Sequence, residues 1–113
     1  MILEYIRYTI SSDRATEFET AYDQAAASLR ASPDCLGYNL SRCTEDPTSY
    51  ILQIEWTSHD GHLKGFRQSE EFKGFFQHVQ PFLQQITEMR HYELTKVAGR
   101  IPFADSGSGK ATA

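Results

Sequence analysis

The 113-residue sequence has no long hydrophobic run, no basic excess and only two cysteines, and each absence excludes a class of protein. A membrane-spanning helix needs about 20 consecutive apolar residues, and no stretch approaches that length. The net charge of −4 and the lack of a Lys/Arg block argue against nucleic-acid binding. The first ten residues, MILEYIRYTI, alternate and carry charges, which is not typical of a signal peptide, so we expect a cytoplasmic location.

The two cysteines, Cys35 and Cys43, are not expected to form a disulfide with each other. If both lie on one extended strand, about 26 Å separates them, whereas a disulfide needs Cα atoms within about 7 Å. Neither belongs to a CxxC motif or has a histidine nearby in sequence, so we predict two free thiols without a catalytic or metal role.

Hydrophobic periodicity predicts four strands and two helical regions in the order β-α-β-β-α-β. The predicted strands cover 2–10, 36–44, 49–56 and 88–96, and the predicted helical regions cover 11–33 and 58–86. Expected helix caps are Ser11 or Ser12, then Thr57 with Asp60 in a capping box, and a further segment begins near Ser69.

This order predicts an α+β, ferredoxin-like fold, with a four-stranded antiparallel sheet covered by helices on one face. The other face carries a substantial apolar share and no helix remains to cover it, so we expect a homodimer with sheet packed on sheet. Residues 1–97 are the predicted domain. Residues 98–113, rich in Gly, Ser and Ala, are the predicted flexible tail, with Phe103 as its one anchor.

Three stretches carry a resemblance to a known family. They are QIEWTS, with Trp56 at a strand-to-helix junction, HLKGFRQSEEFKGFF, with Phe66, Ser69 and Phe72, and the closing strand MRHYEL. On these residues the chain resembles the antibiotic biosynthesis monooxygenase family of the dimeric α+β barrel superfamily, over about residues 1–96. The resemblance implies a dimer with a ligand pocket between sheet and helices.

The resemblance also implies chemistry. The cofactor-free branch of the family oxidises polyphenolic, quinol-like substrates with O2, and its strand tryptophan matches Trp56, although Leu52 stands where that branch has an asparagine. The haem-degrading branch uses a tryptophan and a histidine on the helix pair. Phe66 and Phe76 occupy those positions here, and neither can ligate iron.

His59 and His62 lie three residues apart, so on a helix they would share one face, as metal ligands can. No third ligand follows at a recognised spacing, so we predict no metal site. His59 is expected to be solvated in the first helical turn. His62 is either a base or hydrogen-bond donor at a pocket, or a packed side chain.

The candidate catalytic residues are Trp56, His62 and His91. Trp56 either stacks on an aromatic ligand and holds a substrate oxygen, or closes the core at a strand end. His91 faces either the pocket or the dimer interface. The predicted pocket-lining residues are Phe66, Phe72 and Phe76.

The leading hypothesis is a cofactor-independent monooxygenase that oxidises an aromatic, polyphenolic small molecule with O2, and it rests on family resemblance. A non-catalytic ligand-binding or dimerisation module of the same fold is the alternative. Haem binding through His62, His78 or His91 is a third and weaker hypothesis. Arg7, placed mid-strand among apolar groups, is expected to pair with Glu55 or Glu93.

Overall fold

The structure, a computed structural model, describes residues 1–102. Its strands are β1 (Ile2–Thr9), β2 (Cys35–Arg42), β3 (Ser49–Trp56) and β4 (Ile86–Glu93), and its two α-helices are α1 (Ala15–Ala31) and α2 (Glu70–Val79). Shorter turns complete the path: 3-10 turns at Ser12–Arg14, Phe66–Gln68 and Gln80–Gln85, and a π-helical turn at Gly61–Gly65. No helix within residues 1–102 is long and apolar enough to cross a membrane.

The four strands form one antiparallel sheet in the order β2-β3-β1-β4. This is the ferredoxin-like α+β arrangement that the element order predicts, so that prediction is confirmed. β1 runs through the centre, with Ile6 opposite Leu52 on β3 and opposite Met89 on β4. The central position of β1 places its residues against both neighbouring strands and under the helices.

The core lies between the helices and the face of the sheet that carries the even-numbered residues of β1. Ile6, Tyr8 and Ile10 are buried there, as the alternation in β1 predicts. From α1, Phe18 and Tyr22 pack edge-to-face on Tyr8. The rest of the buried apolar set comes from α1, β3 and the segments around α2: Ala25, Ala26, Leu29, Tyr50, Leu52, Ile54, Trp56, Phe66, Phe75, Val79 and Phe82.

Two predicted caps are wrong and one agrees with the structure. Ser11 makes no side-chain cap bond, and α1 begins only at Ala15 after a 3-10 turn. The Thr57 hydroxyl makes no cap bond to the next segment, and the Thr57 N–H donates to the carbonyl of Asp34 at 2.9 Å. Ser58 takes that role, accepting from the N–H of Gly61 at 2.9 Å. The Ser69 hydroxyl accepts from the N–H of Phe72 at 3.2 Å and caps α2.

The predicted partner of Arg7 is also wrong. Arg7 is exposed and lies 3.5 Å from the carboxylate of Glu88, which the ladder places directly opposite it. Glu55 and Glu93 lie opposite Leu3 and Ile2, several residues along the strand. The register of the sheet therefore decides this pair.

Cys35 and Cys43 are free thiols, as expected.

The C-terminal end of the described chain adds little to the core. β4 begins two residues earlier than predicted and ends at Glu93 rather than 96. Residues 98–102 are exposed without regular structure. Most of the predicted tail, including Phe103, lies outside the described residues.

Candidate active site

A short π-helical turn places His62 inside the protein. Gly61 and Gly65 flank this turn, and both approach the Asp34 side chain closely. A Cβ added at Gly65 would lie 2.9 Å from the Asp34 Cγ, so only glycine fits there without movement. The turn is thus held against the connection between α1 and β2, and His62 is 2% exposed while His59 remains exposed.

The imidazole of His62 stacks flat on the indole of Trp56. The ring centroids are 4.6 Å apart and the planes meet at 10°. Trp56 ends β3, is fully buried and also contacts Phe66 at 5.0 Å between centroids. Trp56 is therefore both a core residue and one wall of a polar cluster, and the two alternatives open in the sequence coexist.

The centre of that cluster is Glu4, which sequence reasoning did not single out. Its carboxylate is 2% exposed on the covered face of β1. Its Oε1 accepts from the Trp56 Nε1–H at 3.0 Å and lies 3.5 Å from the His62 Nε2. The signal was present, because Glu4 is the one acidic residue among the apolar alternate positions of β1.

His91 completes the cluster from β4, where the ladder places it directly opposite Glu4. Its Nε2 lies 2.8 Å from the His62 Nδ1 and 4.0 Å from the Glu4 Oε2. The His91 side chain is 24% exposed, and its ring meets the exposed ring of His59 edge-to-face at 5.2 Å. Glu4, His62 and His91 thus form a continuous polar chain from the interior to the surface.

Burial dominates the electrostatics of this chain. It raises the pKa of Glu4 above its usual value, against the hydrogen bond from Trp56 and the charge of Arg67, which lower it. Burial, then the positive charge of Arg67 and the neighbouring histidines, lowers the pKa of His62 to about 3. The pKa of His91 is lowered by burial, His59 and Arg67. Burial therefore favours the neutral form of both imidazoles and weakens the acidity of the carboxyl group beside them.

A partly open cavity of about 230 Å³ lies next to the cluster, between the sheet and α2. Glu4, Trp56, His62 and Arg67 form its polar end, and the three predicted residues Phe66, Phe72 and Phe76 are among its apolar lining. His91 is not in the lining and reaches the cavity only through His62. The arrangement can hold a small aromatic molecule with one polar group directed at Glu4 and His62.

Other positions considered from the sequence lie elsewhere. His78 is exposed on α2 and does not line the cavity. Leu52 is buried on the α1 side of the sheet, also away from the cavity. The third group near His62 and His91 comes from β1, 58 residues before His62, a spacing that no local motif reveals.

A ferredoxin-like domain with an apolar cavity beside a buried acid–histidine cluster has the features of a small-molecule-binding protein. The sequence matches the antibiotic biosynthesis monooxygenase family over residues 1–78, and the chain belongs to that family. Membership supports a monooxygenase or small-molecule-binding role.

Individual proteins are similar to this chain in sequence or in fold. YczJ of Bacillus subtilis (strain 168), an uncharacterised protein, is 28% identical over 93 residues, covering 82% of this chain and 98% of YczJ. A structure from Bordetella bronchiseptica, assigned to the antibiotic biosynthesis monooxygenases, is 26% identical with a TM-score of 0.67, covering 83% of this chain and 96% of its own. A variant of SnoaB, a cofactor-independent oxygenase from Streptomyces nogalater, shares the fold at 23% identity and a TM-score of 0.71, covering 88% and 97% of the two chains.

Proposed function

We propose that this protein is a cofactor-independent monooxygenase that oxidises a compact aromatic hydroxyl compound with O2. The observation that carries the proposal is the buried carboxyl group of Glu4 at the end of an aromatic cavity, linked through His62 and His91 towards solvent. The description of SnoaB as a cofactor-independent oxygenase supports the same chemistry. That the substrate is aromatic is likewise part of what we propose.

The cavity supplies binding and orientation. Its volume of about 230 Å³ lies just below the ~300–1,000 Å³ of pockets for drug-sized ligands, which favours a compact, planar molecule. The rings of Phe66 and Phe72 offer stacking and edge contacts to an aromatic ligand. Arg67 lies at the polar end and can stabilise the negative charge of a deprotonated hydroxyl group.

Glu4 is the proposed base. Its raised pKa brings its basicity closer to that of a substrate hydroxyl group than an ordinary carboxylate has. The proton can pass from Glu4 to the Nε2 of His62 while the Nδ1–H of His62 passes to the Nε2 of His91, over 3.5 Å and 2.8 Å. His91 then acts as a relay and Trp56 as the donor that positions Glu4.

The oxidation step balances without an external reductant. The deprotonated substrate gives one electron to O2, and the resulting radical and superoxide combine at the ring carbon para to the oxygen. The O–O bond of this peroxide then breaks as the carbon loses its proton. One oxygen stays as a new carbonyl group and the other leaves as water, so the phenol becomes a quinone.

Oxygen uptake with anthrone and with 1-naphthol tests the proposal. We expect ¹⁸O from ¹⁸O2 in the quinone, and we expect Glu4→Gln and His91→Gln to lower kcat at least tenfold with little change in ligand affinity. His78→Gln, an exposed histidine on α2, is the control and should retain full turnover. Unchanged kcat in Glu4→Gln, or a quinone without ¹⁸O, would contradict the mechanism.

A non-catalytic ligand-binding module is the second candidate, and the side chain at position 52 favours it. Leu52 is buried in the core at the position where the resemblance places a polar asparagine. This candidate predicts that anthrone or 1-naphthol binds with a saturable change in the fluorescence of Trp56, while oxygen uptake stays at the uncatalysed rate. For haem binding, His78 offers no support because it lies outside the cavity lining.

A further inference from the structure

We propose that Glu4, His62 and His91 together bind a divalent transition-metal ion at the polar end of the cavity. Each of the three side chains places one donor atom within 4.8 Å of the donors of the other two. From the sequence, only His59 and His62 could be considered as a pair of metal ligands. In the structure His59 is exposed, and His62 lies instead beside Glu4 and His91, which come from two neighbouring strands.

The donor set is chemically specific. Two imidazoles and one carboxylate are the protein ligands of many catalytic zinc sites and of the facial triad of non-haem iron(II) enzymes. With metal–nitrogen bonds of about 2.1 Å, adjacent ligands lie about 3.0 Å apart in octahedral and about 3.4 Å apart in tetrahedral coordination. The 2.8 Å between the His62 Nδ1 and the His91 Nε2 is close to the octahedral spacing. The Glu4 Oε2 lies 4.0 Å from the His91 Nε2, so the carboxylate has to move towards the imidazoles to share an ion.

The fold holds these donors before any ion arrives. Glu4 and His91 are cross-strand partners on β1 and β4, so their backbones are fixed by the ladder. His62 is held by its stack on Trp56. The Trp56 Nε1–H on Oε1 orients the carboxylate and leaves Oε2 towards His91, the kind of outer contact that positions metal ligands.

The remaining coordination positions would face the cavity. Glu4 and His62 both line it, so a water molecule or a ligand hydroxyl group could reach an ion held by the cluster from that side. The ion and the proton relay of the proposed oxygenase require the same nitrogen lone pairs. Binding of Zn²⁺ is therefore expected to slow metal-free oxygenation, although the metal site itself does not depend on that activity.

The single tryptophan makes the site directly measurable. Trp56 is the one tryptophan of the chain and stacks on His62, so a paramagnetic ion bound there quenches its fluorescence. We would titrate the untagged, full-length, metal-free Cys35→Ser/Cys43→Ser protein with Co²⁺ and Zn²⁺, in the absence of substrate. We expect one equivalent of Co²⁺ to quench Trp56, visible d–d absorption bands to appear, and Zn²⁺ to displace Co²⁺. Mg²⁺, which prefers oxygen ligands, should have no effect.

Variants decide whether these three residues are the ligands. Glu4→Gln and His91→Gln should each weaken Co²⁺ binding at least tenfold, whereas the exposed-histidine controls His59→Gln and His78→Gln should bind as the parent does. His91→Cys keeps a metal ligand and should restore binding with a thiolate–Co²⁺ charge-transfer band. Equal affinity in Glu4→Gln and His91→Gln, or no quenching at millimolar Co²⁺ in the folded parent protein, would overturn the site. Oxygen uptake is not part of this measurement, so failure of the oxygenase proposal and failure of the metal site are separately visible.

Discussion

Glu4 stands on the buried face of β1, where its neighbours Ile6 and Tyr8 are core residues. A carboxylate removed from water destabilises a fold unless donors replace the lost hydration. The structure supplies one good donor, the Trp56 N–H, and places the neutral imidazole of His62 3.5 Å away. Its raised pKa reflects that incomplete compensation. A residue that costs stability in this way is more typical of a functional site than of a structural one.

Neutralising Glu4 should therefore not destabilise the protein. Glu4→Gln keeps the side-chain size and can keep an oxygen acceptor for Trp56, and we expect the free energy of unfolding at pH 7 to stay level or rise by about 1 kcal/mol. Urea denaturation followed by circular dichroism measures this, with the exposed Glu93→Gln as the matched control. A loss of more than about 1 kcal/mol in Glu4→Gln alone would show that the carboxylate serves the fold.

His62 predicts a dependence of stability on pH. Its pKa is about 3 in the folded protein, against about 6.5 in an unfolded chain. Below pH 6.5 the imidazole therefore binds a proton in the unfolded state but not in the folded state. The stability from His62 is complete above pH 6.5 and is lost as the pH falls towards 3, by at most about 1.4 kcal/mol per pH unit.

Glu4 acts in the opposite direction, because its raised pKa makes the folded state take up a proton first as the pH falls. A substitution of His62 measures its contribution to the pH dependence of stability apart from that of Glu4. His62→Phe should reduce the loss of stability between pH 6.5 and 5, leaving the part that the lowered pKa of His91 contributes. The control His78→Phe should keep the whole loss, as measured by urea denaturation in the presence of EDTA. A pH profile of His62→Phe that matches the parent profile would show that His62 does not carry this effect.

The segment between β3 and α2 shows where reading elements from sequence succeeds and where it stops. Its helical character and its boundary at Ser69 were predicted and are observed. A regular α-helix would have put His59 and His62 on one face. The π-helical turn Gly61–Gly65 buries His62 and leaves His59 exposed, although both rings contact His91. The flanking glycines are a visible signal only once their contact with Asp34 is known.

That contact makes Gly65 a test of the turn. A Cβ at Gly65 would overlap the Asp34 Oδ2 and lie 2.9 Å from the Asp34 Cγ, so Gly65→Ala must displace the turn or Asp34. We expect Gly65→Ala to lower the free energy of unfolding by about 1–3 kcal/mol and to shift the Trp56 emission as the His62 stack loosens. Gly99→Ala, where no atom lies within 4 Å, is the control and should change neither. Unchanged emission and stability in Gly65→Ala would mean that Asp34 moves aside freely.

Across the whole molecule, the sequence predicts the order of the elements and the covered face of β1, because periodicity and turn residues encode both. It does not predict the register between β1 and β4, which places Glu4 opposite His91 across 87 positions of sequence. Trp56, His62 and His91 could be selected as candidates one by one. That they meet at one carboxylate depends on the register and on the π-helical turn, and both are properties of the assembled sheet and helices.

The second face of the sheet remains open in the single chain, and the homodimer stays a prediction. Leu3, Tyr5 and Ile51 are half-buried there, Tyr92 is 48% exposed, and the Arg7–Glu88 pair lies among them. No described helix covers this face, and a mixed apolar and charged surface of this kind suits an isologous contact between two copies. A stable contact of this type buries about 800 Å² on each partner.

Light scattering during size-exclusion chromatography should therefore give twice the chain mass of 12.9 kDa. Ile51→Glu places a charge at the centre of the open face and should yield a folded monomer, because the carboxylate would be desolvated against the partner sheet. Gln77→Glu makes the same carboxylate on the exposed side of α2 and should remain dimeric. A parent protein that elutes as a monomer at every concentration would refute the dimer, whereas a dimeric Ile51→Glu would assign the contact to another surface. Since the Glu4–His62–His91 cluster lies on the covered face of the sheet, the monomeric variant should keep its ligand affinity if each chain holds a complete site.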